Sequence, residues 1–294
     1  MVGWSGIDRA ADFDQFHAAA RALAAGTDPY RLFPNAWWPF HLFYPLPAVL
    51  LALPLASFAL PIARAAWIGL SAAVLCFALS RERWRLLTLA SGSAVFALAA
   101  GQWTPLCLAA LFLPAISGLW IAKPTIGLAA FIARPNRGAV IGGLLLLAAS
   151  LAIMPAWPRA WLHSLSGTIS VIPLARPGGF LLLAALVRWR RPEARLLLAL
   201  AAVPQTTALY ETLMLFAVPR SPRELALLGA ASWVALYFVI GIPGPISAAA
   251  LTAREWPILL ACVWLPALAL ILLRPNRAEP APWAGLPADQ KPPR

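Results

Sequence analysis

The stretch AISGLWIAKPTIGLAAFIA, residues 115–133, is apolar except at its centre, where Lys123 is followed by Pro124. A bilayer requires that the polar groups of a spanning backbone be satisfied internally, which leaves helices or a closed barrel. Period-2 alternation is absent, and Leu/Ala runs such as Gly142 to Leu151 favour helices. The stretch therefore predicts a membrane helix that is broken where Lys123 meets Pro124.

The composition of the whole chain agrees with this stretch. Hydrophobic residues make up 61% and charged residues 12% of the 294 residues, and the mean hydropathy is +0.76. A soluble domain carries about 25% charged residues. The sequence therefore predicts an all-α fold, a polytopic transmembrane helical bundle of about 8–10 segments. These apolar segments lie near 45–60, 62–80, 86–100, 104–114, 115–133, 138–154, 178–190, 196–218, 224–242 and 256–273.

Several of these segments are shorter than the roughly 20 residues that a full span needs, and prolines interrupt them. Broken or re-entrant helices are tolerated at membrane depth where they line a cavity or are buried in protein. We therefore expect an internal aqueous cavity. We also expect three parts in the chain: an N-terminal unit (1–44), the transmembrane domain (45–273) and a disordered Pro-rich tail (274–294).

The N-terminal unit predicts a short amphipathic helix over residues 12–25, because Phe13, Phe16, Ala20 and Leu23 recur at near-helical spacing. This helix is too short and too polar to span a membrane, and we expect it to lie on the outer membrane surface. The aromatic residues that follow are typical of an interfacial belt. They are Trp37, Trp38, Phe40, Phe43 and Tyr44.

The net charge of +12 is best explained by membrane topology, because arginines cluster in short loops as the positive-inside rule expects. The clusters are Arg81/Arg83/Arg85, Arg134/Arg137 and Arg188/Arg190/Arg191/Arg195. We assign them to the cytoplasmic face, so the turn at residues 101–103 and the loop at 157–177 fall on the outer face. The N-terminal unit joins that face if 45–60 is re-entrant. Nothing indicates nucleic-acid binding, a metal site or a cofactor.

Acidic residues are few and unevenly placed, with four of the 11 in the first 28 positions, Asp12 and Asp14 among them. Two residues apart on a helix, these two side chains point about 200° apart and do not share a face. Asp12 is either the N-cap of the following helix or a general base that takes a proton from a hydroxyl acceptor.

Lys123 and Glu211 are ionisable residues inside apolar segments. Such residues are costly in a membrane and are usually functional. Lys123 is either a partner for a phosphate or a side chain that reaches an interface. Glu211 either faces the cavity or pairs with a buried arginine.

Four weaker candidates complete the set. Gln102 follows Gly101 at a turn between two apolar runs, and His41, His163 and Arg159 fall in segments assigned to the outer face. The two histidines and Arg159 could bind an anionic substrate or contact lipid headgroups.

Several sequence motifs, in this order, resemble the polytopic C-type glycosyltransferases, most closely glycosyltransferase family 87. The stretch from Asp12 to Tyr30 is similar to the family's first outer loop, and FYPLP (Phe43 to Pro47) to its Tyr-Pro-Pro helix entry. GQWTPL (Gly101 to Leu106) resembles the family's Gly-Gln turn and GLWIAKP (Gly118 to Pro124) its Lys-Pro helix. Pro204 with Tyr210-Glu211 resembles a late Pro…Tyr-Asp element.

The resemblance implies transfer of a sugar from a polyprenyl-phosphate donor to an acceptor hydroxyl on the extracytoplasmic side. It implies that Asp12 is the base, that Lys123 and Gln102 lie near the donor phosphate, and that Tyr210 and Glu211 belong to the substrate site. Only 11 residues precede Asp12, so we expect that the family's usual first membrane helix is missing.

Two principal functions follow from these observations. The first is a glycosyltransferase of the bacterial inner membrane, whose partners are the lipid-linked donor and membrane lipids. The second is a catalytically inactive accessory subunit bound to partner chains in a larger membrane complex. A transporter of lipid-linked sugars is a weaker third reading, because no inverted repeat is evident.

Overall fold

The computed structural model describes residues 11–34, 41–165, 171–206, 208–241, 248–277 and 283, and this part of the chain is helical. The α-helices are α1 (Ala11–Ala24), α2 (Leu46–Ala52), α3 (Leu60–Leu79), α4 (Gly92–Ala99), α5 (Thr104–Phe112), α6 (Pro124–Ala133), α7 (Arg137–Ile153), α8 (Trp157–Leu165), α9 (Pro192–Ala202), α10 (Pro222–Ile240), α11 (Ala248–Leu259) and α12 (Leu265–Leu272). The 3₁₀ helices are Pro29–Arg31, Leu53–Leu55, Arg83–Ala90, Pro114–Ala122, Pro173–Ala175, Gly179–Arg188 and Leu209–Ala217, and one π turn, Leu260–Trp264, joins α11 to α12.

Three helices are long and apolar enough to cross a membrane: Leu60–Leu79, Pro222–Ile240 and Ala253–Leu272. A fourth crossing is formed if α7 and α8, which meet at a bend of 102°, count as one broken span. The all-helical class is confirmed for the described residues, and three or four such helices are compatible with an integral membrane protein. The remaining apolar segments are shorter. Three predicted segments are divided: residues 86–100 at Ser91, 115–133 at Lys123, and 196–218 between α9 and the 3₁₀ helix Leu209–Ala217.

The segment 45–60 turns back and does not cross the molecule. At its start, the backbone N–H of Phe43 donates to Gln15 Oε1 at 3.4 Å, so residue 43 lies beside α1. At its end, the carbonyl of Leu55 is 3.1 Å from the Nε2 atom of His17, which is also on α1. Both ends of this short helical segment therefore lie against one helix, as a re-entrant segment requires.

The apolar face of α1 packs on protein. Phe13 and Phe16 are fully buried, and their rings contact Trp67 of α3 at centroid distances of 5.6 and 5.2 Å. Phe16 also contacts Tyr44 and Trp103, at 5.1 and 5.5 Å. The predicted amphipathic helix exists, but its aromatic residues bind the bundle and do not face a membrane surface.

Arginines gather at one end of the bundle. Glu193 is fully buried and pairs with Arg220, Arg274 and Arg191 at 2.6, 3.3 and 3.5 Å. Arg85 donates to the carbonyl of Pro219 at 3.2 Å, which brings the first predicted arginine cluster to the same place. Breaking one partner of such a buried network is costly, so this cluster fixes the ends of several helices together.

Part of the predicted tail packs against this end. Arg134 Nη1 donates to the carbonyl of Trp283 at 2.9 Å, and the Trp283 side chain is buried. Arg134 also donates to the carbonyl of Leu111, near the end of α5. Three residues of the predicted aromatic belt, Trp37, Trp38 and Phe40, lie outside the described residues.

Candidate functional site

Asp12, Gln102, Lys123 and Glu211 form one chain of polar contacts, although they come from four distant parts of the sequence. The Gln102 amide nitrogen donates to Asp12 Oδ2 at 2.5 Å, and its amide oxygen accepts from Lys123 Nζ at 2.9 Å. Lys123 Nζ also lies 2.9 Å from Glu211 Oε1. A single amide therefore connects the early aspartate to the lysine at the centre of the apolar stretch.

The turn that carries Gln102 follows directly from its sequence. Gly101 has a φ of 67°, in the left-handed region that favours glycine. The N–H of Gln102 donates to the carbonyl of Ala97 and the N–H of Gly101 to that of Leu98, both at 3.0 Å, as in a Schellman motif that ends α4. The indole of Trp67 donates to the carbonyl of Gly101 at 2.9 Å, which fixes the turn against α3.

Lys123 lies where the predicted break occurs, between the 3₁₀ helix Pro114–Ala122 and α6. Pro124 occupies the first position of α6, where its missing N–H costs nothing. Besides Gln102 and Glu211, the ammonium has Thr104 Oγ1 at 3.4 Å and the ring of Tyr210 at 4.9 Å. The break thus directs a charged side chain towards the polar side chains of Gln102, Thr104 and Glu211.

Glu211 and Tyr210 begin the 3₁₀ helix Leu209–Ala217. Thr206 Oγ1 donates to Glu211 Oε1 at 3.3 Å and lies 3.0 Å from the hydroxyl of Tyr210, so the three side chains are joined. The second carboxylate oxygen of Glu211, Oε2, is buried and has no hydrogen-bond partner among the described residues. The cation that Glu211 pairs with is Lys123, and the expectation of a buried arginine as its partner is wrong.

Asp12 and Asp14 point to different surroundings, as their spacing predicts. Asp14 forms an ion pair with Arg64 of α3, and the guanidinium balances the charge of the Asp14 carboxylate. The described part of α1 already includes Ala11, so Asp12 lies inside the first turn and not before it. Burial raises the pKa of Asp12 from 3.8 to about 6, although the Gln102 hydrogen bond and the charge of Lys123 act in the opposite direction.

The joined residues differ in exposure. Asp12, Lys123 and Tyr210 are partly exposed and Thr206 is exposed, whereas Gln102 and Glu211 are buried. Chemically, the site offers a carboxylate that can accept a proton near neutral pH and, on the far side of one amide, a cation that can meet an anionic group.

Three candidates do not join this chain. His41 is partly buried at the start of residues 41–45, and Arg159 and His163 are exposed on α8. α8 itself lies nearby, because Trp161 Nε1 donates to the carbonyl of Phe43 at 2.9 Å. A groove between α6 and α7, lined by residues such as Phe131, Arg137 and Ile141, also contains none of the joined residues.

Sequence analysis did not single out Arg64 or Thr104, and it assigned Tyr44, whose hydroxyl donates to Gln102 Oε1 at 3.4 Å, to the interfacial belt. Arg64 is a lone cation in an apolar segment, the same signal that singled out Lys123, and its position could have marked it as a partner for a carboxylate. Thr104 carries no such signal, since a threonine at the start of a helix is common. Among the described residues, no group of three or more His, Cys, Asp or Glu side chains could hold a metal ion.

Comparison with known proteins gives no relative: no protein-family model, curated protein or solved structure matches this chain.

Proposed function

We propose that this protein is a membrane glycosyltransferase with a C-type bundle of about 8–10 membrane segments. It would transfer a sugar from a polyprenyl-phosphate donor to an acceptor hydroxyl. The observation that carries the proposal is the contact chain from Asp12 through Gln102 to Lys123 and Glu211. The four residues come from four separate sequence motifs, and the contact chain brings together the residues to which the resemblance assigns the base and the phosphate contacts.

The chemistry follows from the two ends of the chain. The acceptor hydroxyl attacks the anomeric carbon of the donor, and its proton passes to Asp12, whose pKa of about 6 makes it largely ionised yet basic at neutral pH. The bond from the anomeric carbon to the phosphate oxygen breaks, and the electron pair leaves with polyprenyl phosphate. Lys123 stabilises the charge that develops on that phosphate.

The direct test is turnover by the purified protein. With a polyprenyl-phosphate sugar and an acceptor, the wild type releases polyprenyl phosphate, and Asp12→Asn lowers the rate by at least about 100-fold, the usual contribution of a general base. Asp28→Asn is the matched control, because Asp28 is also an N-terminal aspartate but pairs with the exposed Arg31. Equal turnover by Asp12→Asn and the wild type would remove Asp12 from the base role.

The second candidate function is an inactive accessory subunit. One observation favours it: Lys123 is already satisfied by side chains of the protein itself, as expected of a structural ion pair. This alternative predicts stoichiometric co-purification with partner chains and no turnover with any lipid-linked sugar. Turnover by the isolated chain would exclude it.

A further inference from the structure

The ammonium of Lys123 has no hydrogen left to offer. A lysine has three N–H donors, and here they face Gln102 Oε1 at 2.9 Å, Glu211 Oε1 at 2.9 Å and Thr104 Oγ1 at 3.4 Å. A phosphate that binds Lys123 must therefore replace one of these acceptors or share the charge with it. Of the three acceptors, Glu211 is the one that carries a negative charge.

Glu211 is buried beside Lys123. Its side chain is 3% exposed, and its buried Oε2 atom has no hydrogen-bond partner within the part of the chain that the structure describes. An orphaned oxygen costs stability, but it does not by itself mark a functional carboxylate, because Oε2 of Glu193 in the arginine cluster is in the same state. What distinguishes Glu211 is its position 2.9 Å from Lys123, the proposed phosphate ligand, which puts its charge next to a bound phosphate.

We propose that Glu211 is a specificity-determining residue that sets which phosphate charge the site retains. This inference rests on the proposed function, in which Lys123 meets the phosphate of a polyprenyl-phosphate sugar. The donor is a phosphodiester with one negative charge. The transfer leaves a phosphomonoester, which carries about 1.5 to 2 negative charges near neutral pH. Glu211 offsets part of the charge of Lys123, so the site still favours the departing phosphate but holds the dianionic product less tightly than an unpaired lysine would.

The physical reason is the scaling of Coulomb energy with charge. Without the carboxylate, Lys123 presents an unbalanced positive charge, and a dianion gains about twice as much from it as a monoanion does. The native pairing therefore speeds release of the product.

Binding measurements test this without any turnover. The probes are farnesyl phosphate, a monoester, and farnesyl methyl phosphate, a diester, titrated into detergent-solubilised protein at pH 8, where the monoester is dianionic because its second pKa is about 6. Glu211→Gln should tighten monoester binding by at least about tenfold and diester binding by less. Glu82→Gln, a change at the arginine-rich end where Glu82 pairs with Arg85, is the matched control and should alter neither.

The outcomes separate the two proposals. An unchanged monoester-to-diester affinity ratio in Glu211→Gln, with both ligands lost in Lys123→Gln, overturns the role of Glu211 and leaves Lys123 as the phosphate ligand. Failure of the wild type and every variant to bind either probe overturns the proposed function itself. If Glu211→Gln does not fold, Glu211→Met provides the same comparison, because methionine has a side chain of similar length without the charge.

Discussion

Gln102 is the residue on which the geometry of the site depends. Its amide oxygen accepts from Lys123 at 2.9 Å and from the hydroxyl of Tyr44 at 3.4 Å. Both neighbours donate, so the amide nitrogen must point the other way, towards Asp12. The glutamine thus binds Oδ2 of Asp12. The other oxygen, Oδ1, has no partner in the described part of the chain and is available to accept a proton.

The pKa of Asp12 leads to a prediction about the pH profile. A general base works only when it is deprotonated. The transfer rate should therefore fall tenfold per pH unit once the pH is below about 6. With an ordinary aspartate as the base, this fall would begin only below about pH 4. Gln102→Met removes a hydrogen bond that lowers this pKa and should move the acid limb of the profile upward. The measurement is the pH dependence of polyprenyl phosphate release. A limb near pH 4, or one that Gln102→Met leaves in place, would contradict the assignment.

A rise in pH through the pKa of Asp12 increases the activity but decreases the stability of the protein. Because folding raises the pKa of Asp12, its contribution to the free energy of unfolding is fully present below pH 4 and is lost as the pH rises through about 6. Ionised Asp12 is therefore maintained at some cost to stability, which is expected of a functional carboxylate and not of a structural one.

How far the sequence predicts the site depends on what makes each residue unusual. Lys123 and Glu211 stand out because charge in an apolar segment is costly, and Gln102 because a glycine turn precedes it. The spacing of Asp12 and Asp14 predicts that they face different surroundings, but only the position of Arg64 on α3 shows that Asp14 is the one in an ion pair. Partner choice depends on packing between distant segments, and single-chain patterns do not encode it.

At the scale of elements, the apolar segments were predicted in place but not in helix type. Four of them are 3₁₀ helices of eight to ten residues: Arg83–Ala90, Pro114–Ala122, Gly179–Arg188 and Leu209–Ala217. A 3₁₀ helix rises about 2.0 Å per residue against 1.5 Å in an α-helix, so nine residues reach about 18 Å and not about 14 Å. Hydrophobic periodicity over so short a run does not distinguish a 3₁₀ helix from an α-helix. The greater rise per residue lets a short 3₁₀ segment extend farther through the bundle than an α-helix of the same length.

Close approach between α7 and the 3₁₀ helix that precedes Lys123 gives a prediction for two glycines. A Cβ atom on Gly118 would lie 2.7 Å from the Cα of Gly142, whereas a Cβ on Gly143 would meet nothing within 4 Å. Gly118→Ala should therefore destabilise the protein by about 1–3 kcal/mol through overpacking. Gly143→Ala, the matched control, should be neutral or stabilise it by up to about 1 kcal/mol, because alanine favours a helix. Thermal unfolding in detergent measures both, and equal midpoints for the two variants would show that the helices can separate at no cost.

At the scale of the whole molecule, the polar site and the arginine cluster occupy opposite ends. α5 begins at Thr104, beside Lys123, and ends at Phe112, whose ring lies 5.3 Å from the guanidinium of Arg85. The 3₁₀ helix Leu209–Ala217 likewise begins at the site and ends just before Pro219, which binds Arg85. The predicted grouping of arginines at one end is therefore present, and the positive-inside rule favours the cytoplasm for that end.

This polarity makes the orientation of the site testable by thiol labelling. In a background without Cys76, Cys107 and Cys262, Thr27→Cys marks the site end, because Thr27 is exposed and nearby Tyr30 donates to the carbonyl of Tyr44 at 3.2 Å. Ser80→Cys marks the other end, since Ser80 is exposed just after α3 and precedes the first arginine cluster. Neither substitution changes a charge, so neither should alter insertion.

A membrane-impermeant maleimide added to intact cells should label Thr27→Cys and should reach Ser80→Cys only after the membrane is opened. The physical reason is the arginine excess near Ser80, which retains that end on the side of synthesis. The reverse pattern would put Asp12 and Lys123 in the cytoplasm, where a donor presented on the outer leaflet could not reach them. That result would leave the contact chain intact but remove the extracytoplasmic acceptor from the proposal.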